Sequence, residues 1–329
     1  MSRRIAYVDG LKGFAILLVI VGHLIQYVFC PDNFSDNIVF RYIYSFHMAF
    51  FMILSGFTIK TYYQSFDDVL ISVSKRFQNL LLPFICWALF GQIFLSGASI
   101  GQVFRRTDLG LWFLHALFFI YSIFTLFIYP VRNKNKIWRY ICLVIAYSAI
   151  LIITRIIKKL GVELDVYWIG YHFPNFCIGY ILADNKDILL RSENTKYLPI
   201  TILLFVFLGG FWRQSCDNPM IELVLNSYLY RMVLSISITL SLFWLAGEYQ
   251  HHITALKLDQ LGLTTLGIYA VHQPLIKYAT HLPNALYVFF SETVGGGISS
   301  ILYYTIFIIC NCKTTKHIQN YFTIIFRKT

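Results

Sequence analysis

DGLKGFAILLVIVGH, residues 9–23, sets an acid, a base and an imidazole into an apolar run long enough to open a membrane helix. Helical geometry places all three on one side. At ~100° per residue, Lys12 and His23 lie ~20° apart around the axis, and Asp9 falls within ~60° of Lys12. Gln26 and Tyr27 extend that stripe, while Phe14, Leu18, Val21 and Ile25 take the opposite face. Eleven residues carry His23 about 16 Å along the axis from Lys12, roughly half the hydrocarbon thickness. Ionisable groups at such depths are costly and line a protein interior or an aqueous cavity. Singly, Asp9 and Lys12 read as interfacial anchors and His23 as a hydrogen-bonded packing residue. Three polar groups in one stripe read as a site.

Composition bounds the rest. The 329 residues are 57% hydrophobic and only 13% charged, with a mean hydropathy of +0.63. A soluble globular chain is thereby excluded, because too much apolar surface would be left to cover. The net charge of +11 fits loops facing an anionic cytoplasmic leaflet, and no nucleic-acid partner is expected. The seven cysteines show no zinc-type pairing, Cys310 and Cys312 form only a C-x-C, and no disulfide framework is indicated.

The expected fold is therefore an all-α polytopic membrane protein. It is a bundle of about ten transmembrane helices with both termini cytoplasmic, each span near the ~20 residues needed to cross. The spans fall at 12–30, 39–60, 79–96, 111–130, 139–157, 167–184, 197–212, 222–246, 261–280 and 296–312. Residues 1–329 form one membrane domain with no appended soluble domain. The N-terminus does not read as a cleavable signal, since span follows span. Orientation follows from basic residues. With the N-terminus inside, most Lys and Arg fall on the cytoplasmic side, including Arg3, Arg4, Lys75, Arg76, Arg132, Lys134, Lys136, Arg139, Lys186, Arg191 and Lys196. The tail adds Lys313, Lys316, Arg327 and Lys328, whereas Arg105, Arg106, Arg155, Lys158 and Lys159 fall outside.

Further polar groups lie within the apolar spans. His47, in the second, sits about as deep as His23, so the two can face one cavity. Arg231 is the one arginine well inside a span, with Ser227 and Ser235 a turn to either side. Such a residue is normally paired or lines a polar path. Thr265, Tyr269 and His272 follow i, i+4, i+7 spacing and share one helix face. Three histidines at one level raise the question of a metal, but no carboxylate accompanies them, and no metal or bound prosthetic group is expected.

Asp9, Lys12 and His23, with Gly13 beside the base, resemble the start of the acyltransferase 3 family of integral membrane acyltransferases, closest to its sugar (fucose-type) O-acetyltransferase branch. That family has an acid, a base, ten residues of apolar helix and a histidine. Phe46, His47, Met48, Phe51, Ser55 and Gly56 match its second-helix pattern, with Ala49 where proline is common. Lys75, Arg76 and Pro83 match its basic segment before a leucine-rich run, with Asn79 replacing a base. Trp112, Phe113, Leu114 and Leu117 fit the fourth helix, and the phenylalanine-rich run to Gly179 fits the sixth. Gly262, Leu266, Ile268, Tyr269, His272 and Pro274 fit the ninth.

The resemblance implies an acyl-CoA-dependent O-acetyltransferase of the bacterial inner membrane. The donor co-substrate would be acetyl-coenzyme A. The acceptor would be a sugar hydroxyl on a surface polysaccharide or its lipid-linked precursor, with the lipid bilayer as surroundings. His23 is then the general base, since a neutral imidazole can take an alcohol proton near neutral pH. Asp9 orients or balances Lys12. Lys12, Arg76 and Lys75 hold donor phosphates at the cytoplasmic mouth. His47, Tyr269, His272 and Arg231 line the pocket or meet the acceptor or carbonyl oxygen. Two other readings stay open. One is a glycolipid or acyl-compound transporter or flippase without chemistry, which predicts inverted repeats that the sequence does not display. The other is an acyltransferase with a different donor or an amine acceptor.

Overall fold

The computed structural model describes residues 6–59, 63–90, 112–160, 166–214 and 219–279. Every regular element among these residues is helical. Among the described residues, seven stretches are long and apolar enough to cross a membrane: Ala6–Phe29, Ile38–Phe57, Phe66–Cys86, Trp112–Val131, Lys136–Lys159, Ser192–Phe211 and Tyr228–Glu248. The protein is an all-α, multi-pass membrane protein. Helix Lys136–Lys159 leaves Val144, Ile145 and Ile152 more than half exposed, a face suited to hydrocarbon and unsuited to water.

The principal helices are α1 (Ala6–Leu24), α2 (Ile38–Phe57), α3 (Phe66–Arg76), α4 (Leu82–Phe90), α5 (Trp112–Ile128), α6 (Lys136–Lys159), α7 (Tyr167–Asp184), α8 (Leu198–Phe211), α9 (Tyr228–Glu248), α10 (Gln250–Ala255), α11 (Leu258–Leu263) and α12 (Thr265–Ala279). Several differ from the sequence reading. The first helix begins at Ala6 rather than residue 12, so Asp9 and Lys12 lie about 5 and 9 Å into it. The stretch between the expected spans 39–60 and 79–96, whose Lys75 and Arg76 were placed on the cytoplasmic side, contains α3. Ser65 and Asp68 form a reciprocal capping box there, acids Asp67 and Asp68 occupy the first turn, and Lys75 and Arg76 the last. All three features favour a helix start and a dipole-matched end. A π-helical turn, Phe77–Leu81, joins α3 to α4. It lies just before Pro83, which has no N–H to give to the preceding turn.

The span expected at 222–246 also divides. Ser227 accepts from Tyr230 N–H and starts α9, after a separate short helix Pro219–Leu225. The span expected at 261–280 breaks at Thr264 into α11 and α12. Helix α7 is present where expected but carries His172, Pro174 and Asn175 and is not among the seven apolar stretches. The expected span 296–312, the arginines 105 and 106, the C-x-C and both chain ends lie outside the described residues.

Two compact units make up the chain. The first is built from residues up to Phe51 and from Lys186 onward, the second from Met52–Asn185. In the first, α1 lies directly on α11. A Cβ on Gly13 would overlap the Leu258 carbonyl oxygen, and one on Gly262 would overlap that of Asp9. Paired glycines thus let two backbones touch, as in membrane helix pairs with small residues at the contact. Helix α8 joins α9 through Thr201 Oγ1 and Ser241 Oγ at 2.7 Å and through Tyr230, which donates to the Leu208 carbonyl at 2.6 Å. Tyr42 of α2 donates to the Val206 carbonyl at 2.8 Å. In the second unit, the last turns of α2 meet α7 the same way, Gly56 against the Phe176 carbonyl and Gly179 against that of Ile53.

Candidate active site

The glycine contact fixes what lies further along α1. His23 follows Gly13 by ten residues, about 15 Å along one helix, and His272 follows Gly262 by ten residues across the break at Thr264. The two imidazoles meet: His272 Nε2 lies 3.1 Å from His23 Nδ1. His272 is fully buried, and its Nδ1 donates to the Tyr269 carbonyl at 2.6 Å.

A π-helical turn, Ile25–Phe29, closes the first helix one residue beyond Leu24. Such turns re-aim side chains and recur at functional sites. Here Tyr27 stacks on His23, centroids 5.8 Å apart and planes 8° from parallel. Tyr44 of α2 sets its edge against His23 at 6.2 Å and 81°, and its hydroxyl donates to Gln26 Oε1 at 2.8 Å. Gln26 and Tyr27, which extend the stripe of α1 into this turn, therefore both take part.

His47 stands one turn along α2 from Tyr44, their rings 4.8 Å apart. It is 4% exposed, with Nδ1 donating to the Ile43 carbonyl at 2.8 Å. Tyr44 thus touches both His47 and His23. Among the described residues no three histidine, cysteine or carboxylate side chains converge on one point.

Arg231 is placed differently from the sequence reading. Because Ser227 caps α9, Arg231 sits about one turn from that helix's start and not deep within a span. Its Nη2 donates to the Tyr44 carbonyl at 3.0 Å, and its guanidinium lies 5.5 Å from the centre of the buried Trp212 ring. Ser227 serves as the cap, while Ser235 donates back to the Arg231 carbonyl at 2.6 Å. Arg231 reaches the site through the backbone of α2. Neither Tyr44 nor Trp212 was among the expected site residues. The i, i+3 spacing of Tyr44 and His47 is the only sequence signal for the former.

Lys12 and Asp9 form an ion pair at 3.7 Å, with 23% and 17% of their side chains exposed. They occupy the same helix as His23, eleven and fourteen residues earlier. Lys75 and Arg76 belong to the second unit. Lys75 is exposed, and Arg76 stacks its guanidinium 4.3 Å over Tyr121, whose hydroxyl is 2.7 Å from that of Ser72.

An imidazole pair, His272 buried and His23 half-buried, in an all-α membrane unit and in line with a cation nearer the helix start marks a polytopic membrane protein with a polar site among its helices. Comparison narrows the class. Residues 5–312 match the acyltransferase 3 model, described as an acyltransferase domain, and the chain belongs to that family. It is 29% identical over 223 residues to nodulation protein NolL of Sinorhizobium fredii (strain NBRC 101917 / NGR234), covering 63% of this chain and 55% of that protein. It is 28% identical over 229 residues to nodulation protein NolL of Mesorhizobium japonicum (strain LMG 29417 / CECT 9101 / MAFF 303099), covering 63% and 56%. The match spans about half the length of these relatives. No solved structure matches.

Proposed function

We propose that the protein is an O-acetyltransferase of the bacterial inner membrane. It moves an acetyl group from cytoplasmic acetyl-coenzyme A to a sugar hydroxyl of a surface polysaccharide or its lipid-linked precursor. The observation that carries this reading is the His23 imidazole, gripped by Tyr27, Tyr44 and His272 on the same helix as the Lys12–Asp9 pair. A thioester is already activated, so the protein has to orient the alcohol and take its proton. His23 does the second. Lys12 meets donor phosphate, and the ~16 Å of helix between them suits a donor whose head stays at the surface while its thioester reaches inward. His47, Tyr269 and Arg231 shape the pocket around the acceptor.

The test is transfer of label from acetyl-coenzyme A to candidate glycans by the purified protein in lipid. Labelled glycan that depends on His23 is the expected result. Movement of an unmodified glycolipid across the bilayer, with no label incorporated, would replace the enzyme by a transporter.

A further inference from the structure

We infer that His272 is a positioning residue that fixes which nitrogen of His23 accepts the proton; the inference rests on His23 being the base. The Tyr269 carbonyl can only accept, so the His272 Nδ1 lying 2.6 Å from it carries a proton. In a neutral ring Nε2 then holds a lone pair. That Nε2 faces His23 Nδ1 at 3.1 Å, and two lone pairs do not face each other across such a distance. His23 Nδ1 therefore donates, which leaves Nε2 as the accepting nitrogen of a neutral His23. The order runs from carbonyl to His272 to His23, with every proton assigned by the one group that has no choice. The stacked Tyr27 and the edge of Tyr44 restrict rotation of the His23 ring, so the assignment also fixes where Nε2 is directed.

The consequence for transfer is specific. As the acceptor hydroxyl oxygen bonds to the thioester carbon, its proton passes to His23 Nε2 and the carbonyl electron pair moves onto oxygen. When that carbonyl re-forms, the carbon–sulfur bond breaks and the coenzyme A sulfur takes the proton from Nε2. The products are ester, free thiol and neutral His23. Between the two steps His23 is an imidazolium, and its Nδ1–H bond to His272 becomes charge-assisted and stronger. The His272 proton stays on Nδ1 throughout. A neighbour that sets a histidine's tautomer and stabilises its charged form supports up to about 10⁴-fold in turnover in other histidine-base enzymes.

Two variants and one spectrum test this on the full chain in lipid. In His272→Leu the acceptor for His23 Nδ1–H is gone. Turnover at saturating substrates should fall by about 10² or more while donor affinity holds. In His272→Gln the amide can donate to the Tyr269 carbonyl and its oxygen can accept from His23, so turnover should recover to within about tenfold of wild type. Nitrogen-15 spectra of histidine-labelled protein should show His23 protonated on Nδ1. Full turnover in His272→Leu, or a wild-type His23 protonated on Nε2, overturns the inference. Should His272→Leu not fold, the wild-type spectrum decides alone. Undiminished turnover in His23→Gln removes the base itself, whereas its loss beside full activity in His272→Leu rejects only the role of His272.

Discussion

Lys12 and Asp9 are an i, i+3 pair, partly exposed, and such pairs add little to stability. Their separation of 3.7 Å and solvent screening suggest a contribution below about 1 kcal/mol. Asp9→Asn should therefore leave thermal stability nearly unchanged. Their importance lies in the donor. A charge-assisted contact to phosphate contributes about 1.5–3 kcal/mol, so Lys12→Ala should weaken acetyl-coenzyme A binding by roughly ten- to a hundredfold. Lys12→Arg, keeping the charge, should retain most of it. Titration of donor into the purified variants checks this, and unchanged affinity in Lys12→Ala moves the phosphate site elsewhere. The stripe of Asp9, Lys12, His23, Gln26 and Tyr27 was legible because helical periodicity alone places it. The meeting of His23 with His272 was not. It depends on the register of two helices 249 residues apart in sequence, although the matching Gly-x₉-His spacings were there to read. The depth of Arg231 was misjudged because one hydroxyl cap, Ser227, decides where α9 starts.

Elements transmit that register to the site. Gly13 and Gly262 each face a backbone carbonyl of the other helix, and a backbone cannot rotate aside as a flexible side chain can. Gly13→Leu must push α1 from α11. Overpacking costs about 1–3 kcal/mol or more, and fifteen ångströms along, as ten residues of helix give, His23 should part from His272. Lower melting temperature together with lost turnover is expected. The control is Gly247→Ala in α9, where nothing lies within 4 Å of the added methyl. Removing a helical glycine there should be neutral or stabilise by up to about 1 kcal/mol, with turnover intact. Equal behaviour of the two variants in a thermal-unfolding and turnover comparison would dismiss the glycine contact as the device that sets register. At this scale the long apolar helices were legible from hydropathy. Helix α3 was hidden because its polar residues are those of a capped start, and the break at Thr264 because Gly262 reads equally as a small residue inside one continuous apolar span.

For the molecule in its membrane, the second unit carries an argument about sidedness that the positive-inside pattern alone does not. Arg132, following α5, donates from Nε to the Tyr63 carbonyl at 2.7 Å and from Nη2 to that of Gln64 at 3.3 Å, just before α3. Lys136, opening α6, donates to the Asp184 carbonyl and Asn185 Oδ1 at the end of α7, at 2.7 and 2.9 Å. Arg139 grips the Asp184 carboxylate, its Nη2 within 3.1 Å of both oxygens, and Tyr140 donates to the same group. The connections near residues 63–65, 132–135 and 184–185 thus gather at one end of this unit, so all three must lie on one side of the bilayer. That end holds Arg132, Lys134, Lys136 and Arg139, the balance expected of a cytoplasmic face. Reporter fusions after Gln64 and after Asn133 should both read cytoplasmic. Opposite readings from the two would contradict the hydrogen bonds that join them. External readings from both would preserve the cluster but place this end of the unit outside, against the balance of its basic residues.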